Sequence, residues 1–305
     1  MKKILLIVTI LTIIYSQSDA QYRKFSSPIW TIGTAKTISK KELDLNLLYY
    51  SQYGITNRVE LQMKPLWWYK FPNLGLKITW WNKKSEPNAN FFKKLGIIVG
   101  TKHGIYYPTP LMNYIQDKSF QNIDFGSSPI PPIFAIKNEL LITFIINKFK
   151  GCYQNRGILT LKAGNQKAFK NQNQNFVLTD KAILFRQTTI FGDYSLWYFG
   201  IDYDSKLSYG LNYKIDVDFY SVGLLIHNWI FEHKGLVYWY MGANKKIRTT
   251  IGYKFSYANY PGTKLSLYPL FDLTYMIHFR KKGKSNDLFD NGVLEDPFDD
   301  RDAIH

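Results

Sequence analysis

Ile247-Arg248-Thr249-Thr250-Ile251-Gly252-Tyr253-Lys254-Phe255 alternates with a period of two. Ile247, Thr249, Ile251, Tyr253 and Phe255 share one face, and Arg248, Thr250, Gly252 and Lys254 share the other. Successive side chains of a β-strand point to opposite faces, so this strand has one apolar side and one polar or charged side. The same rhythm recurs along most of the chain: Leu43, Leu45, Leu47 and Tyr49 alternate with Glu42, Asp44 and Asn46, and Leu211, Tyr213, Ile215, Val217 and Phe219 with Asn212, Lys214, Asp216 and Asp218. Repeated over many strands in an exported chain, the pattern predicts an all-β fold, an antiparallel transmembrane β-barrel with lipid outside and water inside.

Export is read from the start of the chain. Met1-Lys2-Lys3 is a short basic segment, Ile4–Ile14 an apolar run, and Ser18-Asp19-Ala20 a small-residue cleavage site, so residues 1–20 are expected to be a signal peptide removed before Gln21. The run is too short for a spanning helix of roughly 20 residues. No other stretch reaches that length, which leaves strands to cross a membrane. Cys152 is the single cysteine, so disulfides do not hold the fold together. Aromatic residues make up 17% of the chain, with 23 Tyr and 8 Trp. Such side chains favour a lipid–water boundary, and Pro65-Leu66-Trp67-Trp68-Tyr69 reads as a patch of that kind.

The expected organisation is a lead-in over residues 21–41, a barrel over 42–280, and an acidic, disordered tail over 281–305. Twelve strands are counted: Glu42–Tyr50, Arg58–Lys64, Leu74–Trp81, Lys93–Lys102, Phe134–Ile146, Arg156–Gly164, Tyr194–Asp204, Ser208–Tyr220, Val222–Phe231, Gly235–Gly242, Lys246–Ser256 and Leu265–Arg280. Ser51–Asn57 is taken as a turn. This count puts the two longest connections, after the fourth and sixth strands, on the side that should carry short turns, so the number is held to about 12 within 10–14. The polar connection around Ser127-Ser128-Pro129-Ile130-Pro131-Pro132 cannot continue a central strand. Asn171-Gln172-Asn173-Gln174-Asn175 is read as a mobile loop.

Phe271, Leu273, Tyr275, Ile277 and Phe279 alternate in the last strand and resemble the signal read by the outer-membrane barrel assembly machinery, although 25 residues follow it. With Tyr53-Gly54-Ile55-Thr56-Asn57-Arg58-Val59-Glu60, Pro72-Asn73-Leu74-Gly75-Leu76-Lys77 and Pro269-Leu270-Phe271-Asp272-Leu273, the chain resembles gram-negative outer-membrane β-barrel proteins, a group of uncharacterised barrels, porins and transporters. That resemblance implies residence in the cell outer membrane, contact with outer-membrane lipid and lipopolysaccharide, and handling by the assembly machinery during insertion. The group has no settled reaction or ligand, so it implies no functional residue.

The formal net charge is +16, and with leader and acidic tail set aside residues 21–280 carry about +18. Such a body fits anionic lipid or an anionic solute, and export argues against nucleic acid. The candidate lumen-facing residues are Lys77, Lys214, Asp216, Asp218, Arg248, Lys254 and Asp272. Arg58, Glu60, Lys64, Lys137 and Glu139 fall on the same inner face by alternation. A water-filled pore with these charges would show weak anion preference, and inner positions such as Asn212 and Thr250 would accept charge. The competing reading is an internal salt-bridge network that plugs the barrel, since buried charges must be paired. No catalytic, cofactor or metal site is assigned. Asp287-Leu288-Phe289-Asp290-Asn291-Gly292 lacks the ligand spacing of a calcium loop, and His227 has no serine two or four residues away on its face. The expected function is a narrow porin or solute channel passing a small solute. The alternatives are a plugged structural or adhesion barrel and, behind it, a lipid-modifying barrel hydrolase.

Overall fold

In a computed structural model the described residues are 30–83, 95–111, 113, 132–150, 153–169, 195–208, 211–222, 229–241, 246–260 and 263–279. The predicted leader, the acidic tail, Cys152, the Asn/Gln run and His227 lie outside them. Twelve strands form one closed antiparallel barrel in the order β1-β12-β11-β10-β9-β8-β7-β6-β5-β4-β3-β2. They are β1 (Glu42–Asn46), β2 (Ser51–Gly54), β3 (Val59–Met63), β4 (Asn73–Lys83), β5 (Leu95–Tyr106), β6 (Phe134–Lys150), β7 (Tyr153–Phe169), β8 (Ser195–Ser208), β9 (Leu211–Val222), β10 (Trp229–Met241), β11 (Ile247–Tyr260) and β12 (Thr263–His278). Closure runs through Glu42↔His278 to Asn46↔Thr274.

The total agrees with the sequence count through two offsetting differences. Ser51–Gly54, read as turn, is a strand pairing with β3 from Ser51↔Met63 to Gly54↔Glu60. Conversely, the segments separated at Glu232–Lys234 form one strand, β10, paired to β11 without a break from Trp229↔Asn259 to Met241↔Ile247. Restoring β2 changes the direction of each later strand up to β9. The connections 107–133 and 170–194 then emerge at the far rim, opposite the rim where β1 begins and β12 ends. The difficulty over long connections on the short-turn side disappears.

Alternation gives the wall two faces. Phe199 (64% exposed), Leu267, Leu265, Ile251, Phe271, Leu273 and Tyr275 point outward, while Asp272, Thr274, Asp202, Asp218 and Lys214 are buried inside. A thin chain of polar side chains interrupts the outer face. Trp80 Nε1 donates to Thr101 Oγ1 at 2.8 Å, His103 lies 3.1 Å from Thr101 Oγ1 and 2.9 Å from Asn138 Oδ1, and Asn138 Nδ2 donates to Asn165 Oδ1 at 3.4 Å. Each member thus meets its polar needs within the wall, as an apolar surrounding requires.

The interior is not a water-filled tube along its whole length. Residues 30–41 turn into the barrel and touch several strands of the wall. The Ala35 N–H donates to Thr143 Oγ1 of β6 at 2.8 Å, Thr79 Oγ1 of β4 donates to Ala35 O at 2.7 Å, and the Ile38 N–H donates to Glu60 Oε2 of β3 at 2.9 Å. A Cβ on Gly54 would stand 1.9 Å from Ser39 O, so this crossing requires glycine there. Thr250, 0% exposed, and Asn212, also buried, do not face open water as a wholly water-filled lumen would place them.

Ile215→Arg or Ile251→Arg should cost roughly 2–4 kcal/mol where the site lies near a bilayer midplane. Thr250→Arg should be at least as damaging, because the added bulk meets a filled interior. Urea unfolding in lipid vesicles checks both, and a mild Thr250→Arg would mean that the interior opens freely to water.

Candidate functional site

The inner face carries ionised groups because many of the alternate positions of β3–β11 are charged or polar, with apolar ones such as Ile98, Leu141 and Leu236 among them, and closure turns all those positions toward one another. Six of the seven predicted lumen-facing residues, all but Lys254, are buried, with Lys77 and Arg248 each 1% exposed; Lys254 is partly buried. All but Asp272 fall into three groups.

The largest is a lattice on β7–β11. The Lys162 ammonium lies 2.6 Å from Asp202, 2.6 Å from Asp216 and 2.7 Å from Asp218. Lys234 reaches Asp216 at 2.6 Å, Asp218 at 3.4 Å and Glu232 at 3.8 Å, and Lys254 reaches Glu232 at 2.5 Å. Lys214 joins through Asp202 at 3.4 Å. The three aspartates converge as metal ligands might be imagined to, but the Lys162 ammonium already stands at their centre, and no His, Cys, Asp or Glu group suited to a metal ion occurs among the described residues.

A second group seats the N-terminal segment. Trp30 is buried edge-on against Tyr238 at 4.9 Å and Tyr49 at 5.9 Å. The Arg248 guanidinium lies 4.5 Å and the Lys214 ammonium 5.1 Å from its ring centroid. Desolvated cation–π contacts of this kind contribute up to about 2 kcal/mol each. Arg248 also donates to Thr274 Oγ1 at 2.9 Å and Asn46 Oδ1 at 3.2 Å, and Lys214 donates to Ile32 O at 2.5 Å. Gly33 beside it has a φ of +84°, where a side chain would be strained and would also meet Asp202.

The third group lies on β2–β4. Lys77 pairs with Glu60 at 3.1 Å and donates to Thr31 O at 3.1 Å. Gln52 and Gln62 both donate to Glu60 Oε1, and Thr31 Oγ1 donates to Gln52 Oε1 at 3.1 Å. Asp272 stands apart and accepts from the Leu48 N–H at 2.8 Å. The four cations expected to give anion preference, Lys77, Lys214, Arg248 and Lys254, are thus all engaged with wall carboxylates or with residues 30–41. Arg58, placed on the inner face by alternation, is exposed in the β2–β3 turn, because the strand begins one residue later than the pattern indicated.

Alternation alone did not single out Lys162 and Lys234, the central cations of the lattice. Lys162 sits in the weakly patterned β7, and Lys234 was assigned to a turn by its neighbours Glu232, His233 and Gly235. A lysine directly opposite Asp216 on the paired strand, as Lys234 is, becomes visible only with the β9–β10 register.

No family model and no curated relative matches the chain. Among solved structures it is similar to Pseudomonas aeruginosa OccK1 (OpdK), at 7% identity and a TM-score of 0.26 over 75% of this chain and 68% of that one. OpdK of the same organism with vanillate gives 7% identity, a TM-score of 0.26, and coverage of 75% and 67%. P. aeruginosa OccK3 (OpdO) gives 11% identity, a TM-score of 0.27, and coverage of 79% and 78%. At such values nothing about those proteins bears on this chain's function.

Lys162→Met leaves three buried carboxylates without their shared cation and should cost about 3–5 kcal/mol. Lys254→Met should cost less, because Lys234 remains near Glu232. Chemical denaturation in detergent micelles followed by tryptophan fluorescence measures the difference, and equal small losses would show that the lattice adds nothing to stability.

Proposed function

We propose that this chain is an outer-membrane barrel of the porin type that passes small polar solutes when residues 30–41 move aside. The observation that carries the reading is the nature of the contact between that segment and the wall. The segment is held by hydrogen bonds, cation–π contacts and the packing of Trp30 and Ala35, without a covalent link among the described residues, and the wall it covers carries Glu60, Thr143, Lys214 and Arg248 beside the apolar Ile98, Leu141 and Leu236. Displacing it would expose a surface with ionised and polar groups, which water can enter. The apolar outer face and the position of both long connections at one rim support placement in an outer membrane.

A second reading rests on the completeness of the packing. Gln52, Glu60, Arg248 and Asp272 are almost fully shielded from water, as in a barrel that stays permanently plugged and serves the envelope as a structural or adhesive element. The two readings differ in whether the segment moves.

Ala35 of the segment and Thr143 of β6 are in hydrogen-bond contact, so Ala35→Cys with Thr143→Cys, in a Cys152→Ser background, should form a cross-link that locks the segment. In planar bilayers the oxidised protein should be silent, and reduction should restore the stepwise conductance of the unmodified chain. Silence of the unmodified and reduced proteins alike would establish the plugged reading, and equal conductance in both redox states would show that residues 30–41 do not gate the path.

A further inference from the structure

Between residues 30–41 and the far rim, the balance of charge changes. Lys64 follows β3, Lys102 lies on β5 two residues beyond Gly100, and Lys137 lies near the start of β6. The ammonium groups of Lys64 and Lys102 stand 4.7 Å and 4.2 Å from the centroid of one ring, that of Tyr50, whose hydroxyl is 3.4 Å from that of Tyr106. Lys137 lies 4.7 Å from the centroid of Tyr198 and 3.2 Å from Glu139. Lys102 is directly opposite Lys77 on one side and Glu139 on the other. Glu60 already holds Lys77, and Glu139 already holds Lys137. Among the described residues no carboxylate comes within ion-pair distance of Lys64 or Lys102, although Lys102 is only 8% exposed.

We infer that Lys64, Lys102 and Lys137, with the phenols of Tyr50 and Tyr106, form a binding site for a small oxyanion, a carboxylate or a phosphate, at the far-rim side of residues 30–41. Lys102, which has the face of Tyr50 and a Glu139 carboxylate already paired with Lys137, is incompletely compensated, and a second cation on the same ring repels it. An anion bound beside Lys64 and Lys102 reduces both penalties and gains charge-assisted hydrogen bonds from the ammonium groups. Lys64, at the strand end, is the more accessible cation and Lys102 the deeper one, so the site grades inward from the rim. Here three cations share the single carboxylate of Glu139, which is paired with Lys137, whereas Lys162, Lys214, Lys234 and Lys254 each meet a carboxylate, so the anion chemistry belongs to this group and not to the lattice.

The inference deepens the channel reading, on which it rests for passage but not for binding. Calorimetric titration of the full mature chain in zwitterionic detergent, with sodium phosphate and separately sodium acetate in chloride-free buffer, measures binding directly. Saturable binding of at least one anion is expected, and the preferred one identifies phosphate or carboxylate as the natural group. Lys102→Gln and Lys64→Gln should each weaken affinity about tenfold or more, Lys102→Arg should preserve it, and Lys246→Gln, at the opposite rim, should leave it unchanged. Heat-modifiable migration on gels verifies that each variant is folded. If Lys102→Gln does not fold, the strand-end variant Lys64→Gln carries the test. Absence of saturable binding by the unmodified chain, or unmodified affinity in the folded glutamine variants, overturns the site. Titrating the oxidised Ala35→Cys/Thr143→Cys protein separates the two readings. Binding there without conductance supports the site independently of transit, whereas gated conductance without binding leaves the channel and removes the anion site.

Discussion

The constraint on which this structure depends is that a sheet with an apolar outer face is closed so that no edge is left free. Each backbone N–H or C=O left unpaired out of reach of water would cost several kcal/mol. The chain meets this by pairing β1 with β12, and the seam is its thinnest part: β1, β2 and β3 are only 5, 4 and 5 residues long. The end of the N-terminal segment reinforces it. The Lys41 N–H donates to Gly54 O at 2.8 Å and the Phe279 N–H donates to Lys41 O at 2.9 Å, so one residue ties β2 to the end of β12. The inner residues of the short strands, Gln52 and Glu60, are in turn satisfied by Thr31 and Ile38. Closure and lumen filling are therefore coupled, which explains why residues 30–41 lie inside.

Closing the sheet also concentrates charge. Side chains that would be solvated on an open sheet face one another across a narrow lumen, where each ion must find a partner or bear a large desolvation cost. On β7–β11 the solution is an interleaved lattice, in which Lys162 serves Asp202, Asp216 and Asp218 together. On β2–β4 it is a single pair, Glu60 with Lys77, completed by amide side chains and a backbone carbonyl. Around Tyr50 the compensation is aromatic, and the cations exceed the carboxylates. One closed surface thus contains both a neutral girdle and a cationic chamber.

How much of this was legible follows from the range of each signal. Alternation is a local property, so the outward placement of Leu211, Ile215, Phe219, Ile251, Phe271 and Leu273 could be read directly. β2 escaped notice because Gly54-Ile55-Thr56-Asn57 has turn composition, whereas Gly54 is glycine to admit the carbonyl of Ser39. β10 was divided because Glu232-His233-Lys234-Gly235 resembles a loop. In the barrel Gly235 faces outward, with the Tyr253 ring lying close enough to meet a Cβ there, so the strand continues through it. In both cases the deciding atom comes from a segment distant in the chain.

The sequence by itself determined the class of fold, the two-faced wall and which strand positions carry charge, because a period of two is written in consecutive residues and obeys backbone geometry alone. Only the tertiary structure decided which charges neutralise one another, that residues 30–41 thread the lumen, and that Lys64 and Lys102 share an aromatic partner in place of a carboxylate. Those outcomes depend on strand register and on the distance across a closed ring, and contacts such as Lys214 with Ile32 or Arg248 with Asn46 join positions about 180–200 residues apart. No local pattern encodes that separation, since it is set when β1 meets β12 and the two faces of the sheet become an inside and an outside.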